Sequence, residues 1–228
     1  MMLSDHHIAA LCNPDQKYAN ITTSIECNNY MLDTTIIKHD VLCTVHKFND
    51  KPMIDPFVGT SVRVNENNEK IVSYGLSSYG YDIRLQPKFD LFQARDDDMA
   101  IDPRNPDQNS HFSKGTIYAD EVILPPGGFL LGVSIETFNI PRNILATCLG
   151  KSSLARCGVS VLVTPLEPEW SGQLVVEIHN TTPSPVIIRA NEGIAQLIFN
   201  VTSDPCVLSY SDRNGKYQNQ QGILGNQL

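Results

Sequence analysis

The chain has 228 residues, of which 41% are hydrophobic and 18% are charged, with 14 glycines and 14 prolines. This composition predicts an ordered, turn-rich globular protein and excludes an intrinsically disordered one. The net charge of −8 argues against a protein whose main partner is a nucleic acid, because such proteins carry clustered Lys and Arg.

No segment approaches the roughly 18 to 20 consecutive apolar residues of a membrane span, and the N-terminus lacks a basic region followed by an apolar core. A cytoplasmic protein with no membrane partner is therefore expected. The six cysteines are scattered without a CxxC pair, so the sequence predicts neither a disulfide framework nor a zinc ribbon.

A short helix is predicted over residues 4–12, with Ser4 or Asp5 as its N-cap. Its predicted apolar face consists of Ile8, Leu11 and Cys12. The next segment, at about 13–51, is polar and weakly patterned. One alternating stretch within it, at 34–48, fits a strand or a hairpin.

Beyond residue 57 the sequence changes to short apolar runs separated by turn residues. Many short strands at this spacing predict a β-sandwich, a jelly roll or a barrel, in one domain that covers residues 1–228. The predicted strands are 70–74, 81–85, 89–92, 121–124, 129–136, 144–149, 159–163, 173–178, 186–188, 194–199 and 206–210.

The first candidate site is the segment GKSSLARCG, at residues 150–158, which follows a predicted strand. Two cations, two hydroxyls and free backbone N–H groups at the start of a helix are typical of a phosphate-binding site. It is not a Walker P-loop, because that motif needs a second glycine five residues before Gly150, where this chain has Leu145. By pattern alone, a capped surface turn fits the segment equally well.

The second candidate site is EPEWSGQLVVEIHN, at residues 167–180, where a strand begins after a Trp-Ser-Gly turn. Glu177 lies two residues after Val175, so the two side chains share one face of that strand. Burial on an apolar face would raise the pKa of the carboxyl group toward values useful for moving protons. On spacing alone, a solvent-facing Glu near the end of a strand is the more ordinary interpretation.

The third candidate is the C-terminal segment at about 210–228, which is rich in hydrogen-bond donors and turn formers. Such a segment can fold over a polyanionic ligand as a lid, with Lys216 on the phosphates. On composition alone, a frayed terminus is the simpler interpretation.

Together these segments resemble the bacterial-type dCTP deaminases, which are zinc-independent members of the trimeric dUTPase-like superfamily. The motifs that carry the resemblance are SYGLSSYGYDIRL, GKSSLARCG, VLVTPLEPEWSG with LVVEIHNTTPSP, ANEGIAQLIF and SYSDRNGKYQNQQGI. They occur in one collinear order over residues 53–224, whereas the segment at about 13–51 departs from the pattern as an insertion. The resemblance implies a mainly all-β fold, a distorted jelly roll with a few short helices, assembled as a homotrimer whose sites are completed across subunit boundaries.

The resemblance also implies which residues hold and convert the nucleotide. Glu177 takes the place of the proton donor and acceptor, with Ser152 and Arg156 as further catalytic residues. Asp82 is expected to be structural, holding a turn or a subunit contact. The residues expected to contact the substrate are Lys151, Ser152, Ser153, Leu154, Ala155, Arg156, Thr164, Val175, Val176, Glu177, Gln196, Tyr210, Lys216 and Gln220.

The activity implied is the deamination of dCTP to dUTP. Zinc is not expected, because the chain lacks the H-x-E and P-C-x-x-C signature of the zinc deaminases. Glu177 would take the proton of a water molecule that Ser152 and backbone groups near Thr164 position, while Arg156 orients the carboxylate. Mg²⁺ would enter with the triphosphate, and the resemblance allows feedback inhibition by dTTP.

Three other functions stay open at this point. The nearest is a bifunctional enzyme that also cleaves dUTP to dUMP and diphosphate, and the second is a plain dUTP diphosphatase. The third is a non-catalytic trimer that senses nucleotides, for which the insertion is the only support.

Overall fold

The computed structural model of the protein describes residues 2–13, 48–92, 102–104 and 113–225. Nearly all of the predicted insertion, with its alternating stretch, lies outside the described residues. Within them, no helix is both long enough and apolar enough to cross a membrane.

The N-terminal helix, α1 (Asp5–Cys12), confirms the helix predicted from the sequence. Ser4 is its N-cap residue, and the Ser4 carbonyl accepts a hydrogen bond of 3.0 Å from the N–H of Ile8. The predicted apolar face is buried, so α1 packs on the core through the side chains of Ile8, Leu11 and Cys12.

The structure is mainly β, as the sequence predicts. Helix in the described residues is limited to α1, a 3₁₀ turn at Phe48–Asp50 and the four-residue α2 (Ser152–Ala155). The strands are β1 (Ile54–Asp55), β2 (Ser61–Val64), β3 (Lys70–Ser77), β4 (Gly80–Phe92), β5 (Ser113–Ile117), β6 (Glu121–Leu124), β7 (Phe129–Asn139), β8 (Ile144–Gly150), β9 (Val159–Leu162), β10 (Ser171–Asn180), β11 (Val186–Arg189) and β12 (Gly193–Val201).

Strand β4 joins two parts of one large antiparallel sheet. Its first half pairs with β3 and β12, and its second half pairs with β5 and β7. Pro87 lies in the stretch where the β4–β7 register shifts, between Leu85 and Phe89, since proline cannot donate a hydrogen bond to a ladder. The other side of β7 pairs with β10, which pairs with β9, while β12 pairs with β8.

One cluster of buried apolar side chains connects α1 with strands from both parts of the sheet. In this cluster the aromatic side chains bury the most surface per residue, at roughly 150–250 Å² each. The largest fully buried aromatic side chains are Tyr81, Phe89, Phe138 and Phe199.

Two buried polar side chains of β7, Ser134 and Glu136, accept hydrogen bonds from backbone N–H groups of the two neighbouring strands, β10 and β4. On the β10 side, the N–H of Leu174 donates to Ser134 Oγ at 2.8 Å, within the register shift between Gln173 and Val175. On the β4 side, the Arg84 N–H donates to Glu136 Oε2 at 3.0 Å, and Arg84 Nε donates to Oε1 at 2.8 Å. These side chains replace ladder hydrogen bonds that would otherwise be lost in the interior.

Three sequence predictions of strands need correction. Residues 206–210 form no strand, because Arg142 takes the carbonyls of Cys206 and Val207 as hydrogen-bond acceptors. The predicted runs 81–85 and 89–92 are one continuous strand, β4. The sequence analysis missed β1, β2 and β5, which are short.

We predict that Arg84→Met destabilises the protein by about 3–5 kcal/mol, because it leaves the charge of the buried Glu136 without its partner. The double change Arg84→Met with Glu136→Gln should recover most of this loss, since no charge is then left in the interior and the Gln oxygen can still accept from the backbone N–H of residue 84. Urea unfolding at one fixed protein concentration measures both. An Arg84→Met protein whose free energy of unfolding lies within about 1 kcal/mol of the wild-type value would contradict the prediction.

Candidate active site

Glu177 lies in the middle of β10, between two strands that present leucines to it. Its register partners are Leu131 on β7 and Leu162 on β9. Along β10 the side chains of Val176 and Ile178 are buried, whereas Val175 and Glu177 are partly exposed. The prediction that Val175 and Glu177 share a face is therefore confirmed, and that face is largely apolar around the carboxylate.

This environment changes the acidity of Glu177. Burial raises the pKa of Glu177 above its ordinary value, and a hydrogen bond with its own backbone opposes the change only in part. Among the ion pairs of the described residues, none joins a cation to Glu177. A half-buried carboxyl group with a raised pKa is a candidate for accepting and returning a proton.

Cys148, on β8, is a neighbour of Glu177 that the sequence analysis did not single out. Burial raises the pKa of the Cys148 thiol to about 12, and the negative charge of Glu177 is the next largest cause. The thiol is therefore neutral and adds to the weakly polar surroundings of the carboxylate. Its only sequence signal is a place in an apolar run, which does not distinguish it from any other core cysteine.

The GKSSLARCG segment begins where β8 ends and forms α2. Lys151 is the N-cap residue of α2, and its ammonium group forms an ion pair with Asp82 in which both side chains are about nine-tenths buried. The predicted contact residues Ser152 and Arg156 are exposed, as are Ser153 and Ala155, while Leu154 is half-buried. In the single chain, the Lys151 ammonium is thus paired with the Asp82 carboxylate, whereas Ser152, Ser153 and Arg156 are exposed.

Asp82 pairs with Lys151, whereas the sequence analysis expected it to hold a turn or a subunit contact. It lies on β4 directly opposite Gln196 of β12, so the Asp82–Lys151 pair is next to another predicted contact residue. The Gln196 amide donates to Ser77 Oγ at 3.1 Å. The second Asp82 oxygen, Oδ1, is buried and accepts no hydrogen bond from the described residues.

Gly158 links the end of this segment to the end of the Glu177 strand. Its carbonyl accepts hydrogen bonds from the N–H of Thr181 at 2.9 Å and from Thr181 Oγ1 at 2.8 Å. The backbone of Gly158 has a φ of +72°, and a Cβ there would collide with the side chain of Thr182. Glycine is therefore required for this close approach, which places the segment beside the carboxyl end of β10.

As far as residue 222 the C-terminal segment is docked on its own chain, whereas composition alone favoured a frayed end. The N–H of Asn219 donates to the Ser171 carbonyl at 2.8 Å, and the N–H of Gln173 donates to the Gln220 carbonyl at 2.9 Å. Gly172 has no side chain between these bonds, where a Cβ would lie 2.8 Å from the Gln220 nitrogen. The tail, residues 206–222, therefore reaches the beginning of the strand that carries Glu177.

The remaining predicted contact residues differ in exposure. Tyr210 is half-buried and its hydroxyl accepts a hydrogen bond of 3.0 Å from the N–H of Tyr217. Lys216 and Thr164 are exposed, whereas Gln220 is buried in the docked tail. The Val176 side chain faces the core, so any part that this residue has in binding falls to its backbone.

The predicted residues that the structure brings together form three groups, which lie on elements of the fold that contact one another. Lys151 and Gln196 lie around Asp82, Val175 and Glu177 lie on one face of β10, and Tyr210 to Gln220 lie on the tail. The predicted contact of Arg156 with Glu177 is not among the ion pairs of the described single chain, and it stays a prediction for a site completed by a second subunit.

The sequence model of a family described as dCTP deaminase-like matches residues 53–202. The dCTP deaminase of Chlamydia pneumoniae is 52% identical over 172 residues, which cover 75% of this chain and 88% of that protein. The dCTP deaminase of Acidobacterium capsulatum is 51% identical over 174 residues, which cover 76% of this chain and 90% of that protein. A solved 2'-deoxycytidine 5'-triphosphate deaminase from Agrobacterium tumefaciens aligns with 56% of this chain and 40% of that chain, with a TM-score of 0.46 and 19% identity.

We predict that Glu177→Gln raises the melting temperature at about pH 8 and that this gain shrinks toward about pH 5. Because the folded-state pKa of Glu177 is raised, its stabilising contribution is present below the ordinary pKa and is lost as the pH rises through the folded value. The amide of Gln never has to ionise, so it escapes this loss. Thermal unfolding across the pH range measures the difference, and an equal gain at every pH would contradict the assigned cause.

Proposed function

This chain belongs to the dCTP deaminase-like family, and we propose that it hydrolyses the C4 amino group of dCTP to give dUTP and ammonia. The observation that carries the proposal is the environment of Glu177, a half-buried carboxyl group between Leu131 and Leu162 with a raised pKa. The proposal is supported by relatives about half identical over three quarters of the chain, all named dCTP deaminase.

In the proposed reaction Glu177 carries each proton in turn. The carboxylate takes a proton from water as the oxygen attacks C4 of the cytosine, and it delivers that proton to N3. It then takes the second proton of the same oxygen and passes it to the amino group, which leaves as ammonia. Because burial raises the pKa of Glu177, its carboxylate is a stronger proton acceptor than an exposed Glu, which favours the first of these transfers.

The segment around α2 and the tail are proposed to hold the triphosphate. The hydroxyl groups of Ser152 and Ser153 and the guanidinium of Arg156 are exposed and can donate to phosphate oxygens or position the water. Lys216 on the tail adds a further cation. Mg²⁺ enters with the nucleotide, bound mainly by phosphate oxygens and water, and dTTP, which has the same triphosphate, is proposed to compete for the site.

We also propose that the chain acts as a homotrimer in which the exposed Arg156 reaches the Glu177 of a neighbouring subunit. The surface near the site supports this assembly, because it exposes large apolar side chains. Leu145, Leu149 and Leu162 are 37%, 49% and 58% exposed in the single chain, and Leu162 is the register partner of Glu177. Covering them with a second copy would also complete the exclusion of water from Glu177.

The first test is Glu177→Gln, which should lower kcat for ammonia release from dCTP by at least about 100-fold, the usual contribution of a general acid–base residue. The amide keeps the shape of the side chain but cannot carry protons, so calorimetric binding of dCTP should stay nearly unchanged. Glu121→Gln, an exposed substitution on β6, is the matched control and should keep full activity. Near-normal turnover by Glu177→Gln would refute the proposed mechanism.

The second test resolves the products, and dCTP should yield dUTP and ammonia in equal amounts with no dUMP. A zinc-selective chelator in the presence of excess Mg²⁺ should leave the rate unchanged, because the proposed chemistry needs only Glu177 and water. Formation of dUMP and diphosphate would assign the chain to the bifunctional enzymes. A rate that falls with zinc removal and returns with zinc would refute the zinc-independent mechanism.

A further inference from the structure

Arg142 lies in the turn between β7 and β8, outside every segment that the sequence analysis singled out. Its guanidinium group donates to four acceptors. Nη1 reaches Glu169 Oε2 at 2.8 Å, and Nη2 reaches Asp212 Oδ2 at 2.6 Å. Nε reaches the Cys206 carbonyl at 3.2 Å, and Nη2 also reaches the Val207 carbonyl at 3.0 Å.

These contacts connect two parts of the chain that matter for the site. Glu169 is in the turn that leads into β10, whereas Cys206, Val207 and Asp212 are at the beginning of the tail. The contact is mutual, because Cys206 Sγ also approaches the Arg142 carbonyl at 3.5 Å. A single side chain thus fixes the base of the tail to the turn that precedes the Glu177 strand.

The carboxylate of Asp212 is prepared for this contact by its own turn. It accepts a hydrogen bond of 3.1 Å from the N–H of Ser209, while Ser209 Oγ accepts one of 3.1 Å from the N–H of Asp212. The first of these bonds, followed by Arg142, holds the pKa of Asp212 below its ordinary value. The contact with Arg142 therefore persists as an ion pair at neutral pH.

Beyond this base, the tail follows the same turn and the beginning of β10. The N–H of Tyr210 donates to the Pro168 carbonyl at 2.9 Å, and Trp170 Nε1 donates to the Tyr217 carbonyl at 2.9 Å. The far end is held by the backbone bond from Gln173 to Gln220. The proposed contact residues Tyr210, Lys216 and Gln220 all lie on this stretch of the tail, with Gln220 at its far end.

We propose that Arg142 is a positioning residue that holds the base of the tail so that Tyr210, Lys216 and Gln220 are presented to the triphosphate. This inference rests on the proposed function. Isolated surface ion pairs contribute little, but one planar guanidinium with four acceptors in two parts of the chain restricts the tail before a ligand arrives. A tail that is already restricted loses less conformational entropy when it closes on the nucleotide.

The experiment compares Arg142→Gln with Arg142→Lys and with Asp212→Asn, which removes the negative charge from one of the same contacts on the tail side. Arg142→Gln should raise KM for dCTP about tenfold, with kcat changed by less than about twofold, because the chemistry at Glu177 is untouched. Arg142→Lys keeps the charge but not the four-acceptor geometry, so its KM should be intermediate. Arg189→Gln is the control. It removes an arginine of β11 whose acidic partner is Glu121 on β6, away from the tail.

Limited trypsin cleavage after Arg213 or Lys216 measures the tail without reference to activity. Cleavage should be faster in Arg142→Gln and Asp212→Asn than in the wild type and unchanged in Arg189→Gln. Unchanged KM and unchanged cleavage would overturn the inference, as would a lower melting temperature with no change in cleavage. If the wild type releases no ammonia from dCTP, the proposed function fails, and faster cleavage in the Arg142 variants would still support the anchoring of the tail.

Discussion

The carboxylate of Glu136 is fully buried at the point where β4 crosses from one part of the sheet to the other. Arg84 neutralises it with both its side chain and its backbone N–H. A buried ion pair recovers its desolvation cost only when the geometry is good, so this contact tolerates one register of β4 against β7. Because β7 is also the neighbour of β10, the same contact sets the place of the strand that carries Glu177.

Burial acts in the same direction on Glu136 and Glu177, and their surroundings then give them different roles. Burial raises the pKa of both carboxyl groups. At Glu136 the hydrogen bonds and charge of Arg84 oppose the effect, and the carboxylate is fixed in a structural contact. At Glu177 only a backbone hydrogen bond opposes it, and the group stays partly exposed on a face of leucines. The second arrangement is the one from which a proton can be exchanged with a ligand.

Local patterns predicted α1 and most of the strands, because apolar spacing and turn residues are properties of short segments. The shared face of Val175 and Glu177 followed from the two-residue period of a strand. The strand predicted at 206–210 was wrong, since a distant guanidinium takes the carbonyls that a neighbouring strand would need. The Lys151–Asp82 pair and the proximity of Cys148 to Glu177 depend on which strands are neighbours, and no local pattern in the sequence carries that information.

The docking of the tail on β10 has a consequence for any ligand that lies between them. Gln173, which binds the tail through its backbone, is four residues before Glu177 on the same face, a distance of about 13 Å along an extended strand. Over these residues β10 is paired with β7, which fixes the distance between the two ends. The tail can therefore bind one end of an elongated ligand while the other end of that ligand lies at Glu177. The absence of a side chain at Gly172 permits the backbone contact on which this spacing depends.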